Sequence, residues 1–254
     1  MQPMNAAPKI AAMILAYNVA PMLPRTVERI PDGVFDRIFL TDDGSTDDTR
    51  EAAEALGLEV IGHTPNRGYG GNVKQGFRHA FAAGADFVVE IHGDGAQFDP
   101  AATFVAMPLM RNGADLILGS RLQNKRQALR NGMSMVRFLA NLGLSAVDRI
   151  VTGLPLTEFH TGFRIYSRRL YETLPWQDNS DDYLFSFEII AQAAYFGLDV
   201  REVPVQADYN ADHTSISLGR SVKYAVTHLG TLRDLALARA GVANGSQFPE
   251  LPRA

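Results

Sequence analysis

Between residues 9 and 119, five short apolar runs alternate with helical stretches. The runs are Lys9–Ala16, Asp36–Thr41, Leu58–His63, Phe87–His92 and Asp115–Gly119; the helical stretches lie near Met22–Ile30, Thr46–Leu56, Asn72–Ala83 and Pro100–Arg111. Such alternation implies parallel strands joined by right-handed crossovers. Folds of this kind gather the carboxyl ends of their strands along one sheet edge, where ligands bind. After residue 120 long helical segments dominate and strands become rare. No linker, repeat or low-complexity tract divides the 254 residues. The expected fold is therefore α/β, a mostly parallel sheet flanked by helices, with a more helical carboxyl-terminal lobe. One domain is expected over 1–240, in two halves at 9–120 and 121–240. The tail 241–254, rich in Gly, Pro and polar residues, reads as flexible.

Asp42-Asp43-Gly44-Ser45-Thr46-Asp47-Asp48-Thr49 follows the apolar run Ile38-Phe39-Leu40. It reads as strand, tight turn and helix N-terminus, with two acids at the strand's carboxyl end. These suit a nucleobase N–H or ribose hydroxyls, not a bare pyrophosphate; an Asx turn with an N-cap is the plain alternative. The first strand ends in Ala16-Tyr17-Asn18, an aromatic face and an amide that suit a stacked base as well as an ordinary strand end. Asn66-Arg67-Gly68-Tyr69-Gly70-Gly71-Asn72 is a glycine-rich turn into a helix. It follows the third run and has Val73 where a dinucleotide fingerprint needs glycine. Its glycines are expected to let backbone approach a nucleotide, with Arg67 nearby. The fourth run ends in His92-Gly93-Asp94, followed by Gln97 and Asp99-Pro100. An acid flanked by glycines can reach Mg2+ or Mn2+ held by a diphosphate. Asp99 before Pro100 reads as a helix cap, and His92 as a metal ligand or a hydrogen-bonded strand-end histidine.

The net charge of −4 gives no sign of a nucleic-acid partner. Yet Leu116–Val147 contains no Asp or Glu and carries Arg121, Lys125, Arg126, Arg130 and Arg137, a local bias toward phosphate. The interleaved Leu129, Met133, Val136, Phe138, Leu139 and Leu142 suit either a membrane-surface helix or one packed on the core. Asp181, just before the apolar run Tyr183–Phe196, and Glu188 and Gln192 within it lie at i, i+7 and i+11 on one face, which makes Glu188 a site candidate or the partner of a cation such as Arg164. Thr214-Ser215-Ile216-Ser217 leads to Arg220-Ser221-Val222-Lys223, hydroxyls and cations able to close over a diphosphate. The absence of cysteine excludes disulfides, thiolate metal sites and a cysteine nucleophile. No run approaches the ~18 apolar residues of a membrane span. Lys9 is the only basic residue before the short run Ile10–Tyr17, so no secretory signal is read.

Taken in order, Ala16-Tyr17-Asn18, Asp42-Asp43-Gly44-Ser45-Thr46, Asn66-Arg67-Gly68, the Asp94 segment and Gly119-Ser120-Arg121 resemble glycosyltransferase family 2 on a GT-A, Rossmann-like fold. Glu158-Phe159-His160-Thr161-Gly162-Phe163-Arg164 and Thr214-Ser215-Ile216 resemble its dolichyl-phosphate mannosyltransferase-like branch. The resemblance implies an inverting, metal-dependent transfer from a UDP- or GDP-linked nucleotide-diphospho-sugar, with Mg2+ or Mn2+ as cofactor. Residues 9–120 become the nucleotide-sugar half and 121–240 the acceptor half. By motif position, Ala16, Tyr17, Asn18, Asp42, Asp43, Arg67, Gly68, Gly93 and Asp94 would bind the nucleotide, and Asp94 and Gln97 the metal. Arg121, Arg130, Ser134, Arg164 and Arg220 form the expected phosphate and acceptor set, and Asp94, Glu188 and Arg121 the expected catalytic groups. Two departures stand out: His92 occupies the place of the first acid of D-x-D, and Val19 that of the acid after Tyr-Asn.

The expected acceptor is a polyprenyl phosphate, met from the cytoplasm by peripheral contact with the inner face of the membrane; a homodimer is left open. A soluble hydroxyl acceptor and a degenerate nucleotide-binding protein are the alternatives. A sugar-1-phosphate nucleotidyltransferase would need a Gly-rich, Arg-containing loop where this chain has Tyr17-Asn18-Val19-Ala20-Pro21.

Overall fold

The computed structural model describes residues 7–94, 98–207 and 218–251, with 218–223 as helix backbone only. Strands β1 (Ile10–Ala16), β2 (Arg37–Asp42), β3 (Glu59–Gly62), β4 (Phe87–His92), β5 (Leu116–Ser120), β6 (Arg164–Ser167) and β7 (Val200–Pro204) form one sheet in the order β3-β2-β1-β4-β6-β5-β7. Helices α1 (Leu23–Glu28), α2 (Thr49–Ala55), α3 (Tyr69–Ala82) and α4 (Ala102–Arg111) link the first five strands. They are followed by α5 (Lys125–Arg130), α6 (Met135–Thr152), α7 (Arg168–Thr173), α8 (Phe185–Tyr195) and α9 (Leu218–Arg239). The expected strand–helix alternation is present, with ends shifted by a few residues.

The pairings β1–β2, β1–β4, β2–β3 and β5–β7 are parallel. Strand β6 is inserted antiparallel between β4 and β5, and places Arg164 opposite both Glu90 and Leu118. Side chains of β1 alternate between two cores. Ala11, Met13 and Leu15 meet Phe77, Tyr166, Trp176, Phe185 and Leu235 on one face. Ile10, Ala12, Ile14 and Ala16 meet Leu23, Ala106, Met110 and Phe163 on the other. Helices cover both faces, which is why the parallel strands are apolar along their length. Beyond β5, Leu122, Ala128, Met133 and Phe138 form a separate small core under α5 and α6.

The glycine-rich turn before α3 does something other than expected. Gly68 has φ +89°, and a Cβ at Gly70 would run into the Ser180 carbonyl. The Asp181 carbonyl accepts from the N–H groups of Gly70 (2.8 Å) and Gly71 (3.3 Å). At these two glycines the backbone that comes close belongs to the protein's own 180–181 loop, which satisfies orphan donors of the helix N-terminus. Lys74 reinforces the contact through Asp181 at 2.7 Å.

The tail also departs from expectation: as far as Leu251 it lies against α8. Phe248 is buried, and the Tyr195 hydroxyl donates to the Pro249 carbonyl at 2.6 Å. The Gln247 amide donates to Glu188 Oε1 at 2.8 Å, while Glu188 Oε2 accepts the Ser180 N–H at 2.7 Å. Both oxygens of Glu188 are thus held by groups that fix the tail and the 180–181 loop. Burial pushes its carboxyl above the ordinary value of 4.5, only partly opposed by Gln247, Ser180 and Lys74.

A raised folded pKa means that the native state holds this proton more tightly than the unfolded chain. The resulting stability is full below the ordinary carboxylate pKa and is lost as pH rises through the folded value. In melts from pH 4 to 8, Glu188→Gln should therefore gain on wild type as pH rises, and it should keep near-wild-type turnover. Loss of turnover by orders of magnitude in a well-folded Glu188→Gln would restore Glu188 as the base.

Candidate active site

The carboxyl ends of β1, β2, β4 and β5 and the start of the antiparallel β6 share one edge. At the end of β1, Tyr17 is 50% exposed and free to present a ring face. Asn18 adopts φ +53°, a left-handed conformation that Asn tolerates. Its side-chain oxygen accepts the Thr46 N–H at 2.8 Å, and its own N–H donates to Ser45 Oγ at 2.9 Å. These bonds hold the β1 loop to the Asp-Asp-Gly-Ser-Thr turn.

Both acids of that turn are buried. Asp42 accepts from the Ser45 N–H at 3.0 Å and from Arg50 Nε at 2.9 Å. Asp43 accepts the N–H groups of Arg67 (2.8 Å) and Gly68 (3.0 Å), with His63 at 3.5 Å. Burial pushes the Asp43 carboxyl up against the pull of these partners. The two acids thus tie the glycine-rich turn and α2 to the end of β2. A carboxylate oxygen has a second lone pair, so each keeps acceptor capacity toward a donor arriving from the edge.

At the centre of the edge lies Glu90, a carboxylate in the otherwise apolar strand β4 and fully buried. It accepts from the hydroxyls of Tyr69 (2.5 Å) and Tyr166 (2.6 Å). His92 Nε2 lies at 3.1 Å and the Arg164 guanidinium at 3.8 Å. Tyr69 also bonds Ser186 of α8 at 2.8 Å. Burial opposes the charge on Glu90, yet His92, Arg164 and Tyr166 outweigh it and hold the carboxyl below its ordinary range. Burial likewise opposes a charged His92, but Glu90 and Asp94 raise its pKa above the usual histidine value. Tyr69 and Tyr166 are pushed well up by burial and then by the Glu90 charge, so they remain donors.

Asp94 follows at the loop. Its neighbour Gly93 is fixed by an N–H bond to the Leu15 carbonyl (2.8 Å) and by the Thr26 hydroxyl on its own carbonyl (3.1 Å). One oxygen of Asp94, Oδ1, is buried with no hydrogen-bond partner among the described residues. An orphaned carboxylate oxygen at a strand end is a fitting donor for a hard divalent cation. Gln97, the second expected ligand, lies outside the described residues. Asp99 accepts the Ala101 N–H at 2.9 Å in a turn ahead of α4, whose N-cap is Ala101 and has no side-chain cap bond, so the cap read from the sequence is displaced by two residues.

On the acceptor side the expected cations are placed differently. Arg121 is buried and its fork is closed on Glu158: Nε donates to Oε1 at 2.9 Å and the backbone N–H to Oε2 at 2.7 Å. A guanidinium held in this way positions the 157–163 segment. Arg164 is engaged with Glu90 and not with Glu188, and its Nε has no hydrogen-bond partner among the described residues. Arg130 is exposed at the end of α5. Ser134 is exposed too and caps α6 by accepting the Arg137 N–H at 3.3 Å. The Arg220 side chain and Thr214–Ser217 lie outside the described residues. Sequence reasoning missed Glu90, Tyr69, Tyr166 and Glu158. The available signal was a charged residue inside an apolar strand, Phe87-Val88-Val89-Glu90-Ile91.

Comparisons with known proteins agree with this architecture. Residues 12–174 match the family described as glycosyl transferase family 2. An uncharacterized protein of Methanocaldococcus jannaschii is 29% identical over 84% of this chain and 86% of its own length. The UDP-N-acetylglucosamine–dolichyl-phosphate N-acetylglucosaminyltransferase of Methanococcus voltae is 26% identical over 87% of this chain and 95% of its own. A dolichyl-phosphate hexose transferase of Haloferax volcanii is 26% identical over 75% and 77%. Among solved structures, glucosyl-3-phosphoglycerate synthase from Mycobacterium tuberculosis, in complex with Mn2+, uridine diphosphate and glucosyl-3-phosphoglycerate, shares the fold. It superposes with a TM-score of 0.66 at 20% identity over 95% of this chain and 83% of that one. With its family matched over well more than half of its length, the chain belongs to glycosyl transferase family 2 and is a glycosyltransferase that uses a nucleotide-sugar donor.

Proposed function

We propose that this enzyme transfers the sugar of a UDP- or GDP-linked donor to a polyprenyl phosphate, with inversion, while attached peripherally to the inner face of a membrane. Two observations carry the reading: the orphaned Asp94 oxygen at the end of β4, and an exposed apolar face on α6, whose segment carries bases and no acid before Asp148. On α6, Val136 is 81% and Ile150 82% exposed, and Met135, Leu139 and Val147 are exposed with them. Lys125, Arg126, Arg130 and Arg137 are exposed on the same α5–α6 segment. An apolar helix face with basic flanks matches an anionic lipid surface. The dolichyl-phosphate substrates named for two relatives point the same way. Among the described residues no helix is long and apolar enough to cross a membrane.

In the reaction, a phosphate oxygen of the acceptor attacks the anomeric carbon. The carbon–oxygen bond to the diphosphate breaks, and the nucleoside diphosphate leaves with the electron pair. Asp94 would hold Mg2+ or Mn2+, which when bound would neutralise charge on the departing diphosphate. Asp42 and Asp43 would offer their remaining lone pairs to base and ribose, and Tyr17 its ring face to the base. A phosphate acceptor is already ionised and needs no general base. That agrees with the structural engagement of Glu188, and of Asp181 with Lys74.

Asp94→Ala should lower transfer by about three orders of magnitude, the loss expected when a transition-state charge contact worth about 4 kcal/mol is removed. Excess chelator should do the same to wild type; full turnover in either case would remove Asp94 from the reaction.

The acceptor is tested with vesicles of anionic and neutral lipid. The enzyme should float with anionic vesicles at low salt, detach at high salt, and form lipid-linked sugar on a short polyprenyl phosphate. Val136→Asp combined with Ile150→Asp should abolish flotation. Absence of flotation and lipid product, with transfer to a water-soluble hydroxyl compound, would overturn the reading, as would donor binding without any transfer.

A further inference from the structure

A second cluster of metal-ligating groups lies in the acceptor half and shares no residue with the Asp94 edge. Asp148 of α6 and His228 of α9 are fully buried, and His160, in the segment before β6, is nearly so. His160 Nε2 lies 2.9 Å from Asp148 Oδ2, and His228 Nε2 lies 2.6 Å from Asp148 Oδ1. The ligating atoms of all three residues fall within 4.8 Å of one another. The Tyr224 hydroxyl sits 3.1 Å from His160 Nδ1, where it can accept that N–H and leave the Nε2 lone pair for an ion shared with the carboxylate. Second partners of this kind orient metal-ligating imidazoles.

We propose that Asp148, His160 and His228 bind a divalent transition-metal ion of the zinc type, separate from the cation of the donor diphosphate. Charge is the first support. Among the described residues Asp148 is ion-paired with no lysine or arginine, only with the two imidazoles. A fully buried carboxylate without a full countercharge is costly, and a divalent ion supplies that charge. Donor chemistry is the second support. Two imidazole nitrogens and one carboxylate favour zinc and similar ions, whereas the oxygen donors expected around Asp94 favour Mg2+ or Mn2+.

Such an ion would join α6, α9 and the 157–163 segment at one point. Glu158 of that segment closes on Arg121, whose guanidinium also reaches the His160 carbonyl at 3.4 Å. The ion would therefore stiffen the wall on which the acceptor half meets the end of β5.

The test uses the full chain stripped with chelator and titrated with Co2+ as a visible probe, and with Zn2+ in melts, without nucleotide. One equivalent of Co2+ should give an absorption band typical of nitrogen and oxygen ligation, and Zn2+ should raise the melting temperature. Both effects should persist in Asp94→Ala and disappear in His228→Gln, with Asp148→Asn as a second variant should the first not fold. No band and no Zn2+ shift in wild type would overturn the site. So would a band lost in Asp94→Ala and kept in the histidine variant. Neither readout depends on sugar transfer, so the site stands or falls separately from the polyprenyl-phosphate reading.

Discussion

Glu90 is a carboxylate buried in the middle of the sheet, and the candidate active site is organised by what that burial demands. An ion removed from water costs several kcal/mol unless its neighbours restore the lost hydration. The neighbours come from separate parts of the chain: Tyr69 at the start of α3, His92 two residues along β4, and Arg164 and Tyr166 on β6. Satisfying one side chain therefore fixes the glycine-rich turn, seats β6 against β4 and raises the pKa of His92 beside Asp94. The antiparallel strand and the charged edge have a common cause.

The two halves of the chain are bound together more tightly than a boundary near residue 120 implies. Strands β6 and β7 extend the sheet begun by β1 to β5. The loop at 179–181 is bonded from both directions. Lys74 and the first N–H groups of α3 reach Asp181, while Asn179 exchanges amide bonds with Gln192 at 3.0 and 2.7 Å. Gln247 of the tail joins the same network through Glu188. The wall beside the glycine-rich turn is thus held in part by Gln247 of the tail.

The parallel part of the fold was legible because strands buried on both faces must be apolar throughout, and the intervening helices must be amphipathic. Strand β6, Arg-Ile-Tyr-Ser, was not legible. Its arginine and tyrosine are polar groups whose burial makes sense only opposite Glu90, a partner 74 residues away in sequence. The acids Asp42, Asp43 and Asp94 were found because strand, turn and helix signals place them locally. Glu188 was read as catalytic because buried charge often marks function, and Arg121 because of its place in Gly119-Ser120-Arg121. Both turn out to have structural partners, Gln247 and Glu158, that no local pattern announces. The tail was misread for the same reason: its composition suits disorder, but Phe248 finds a pocket on α8 formed by residues distant in sequence.

If Glu90 governs the edge, the most direct measurement is calorimetric binding of a nucleoside diphosphate to wild type and Glu90→Gln, with and without Mn2+. Both proteins should first be shown to be folded by thermal melts. The amide is close in size to the carboxylate but leaves His92 and Arg164 without their counterion. The Mn2+-dependent part of the affinity should fall by at least about tenfold, or about 1.4 kcal/mol, with little change in Mn2+-independent binding. Equal affinities for the two folded proteins in Mn2+ would contradict the account, and would show that the Asp94 edge is organised without the buried carboxylate.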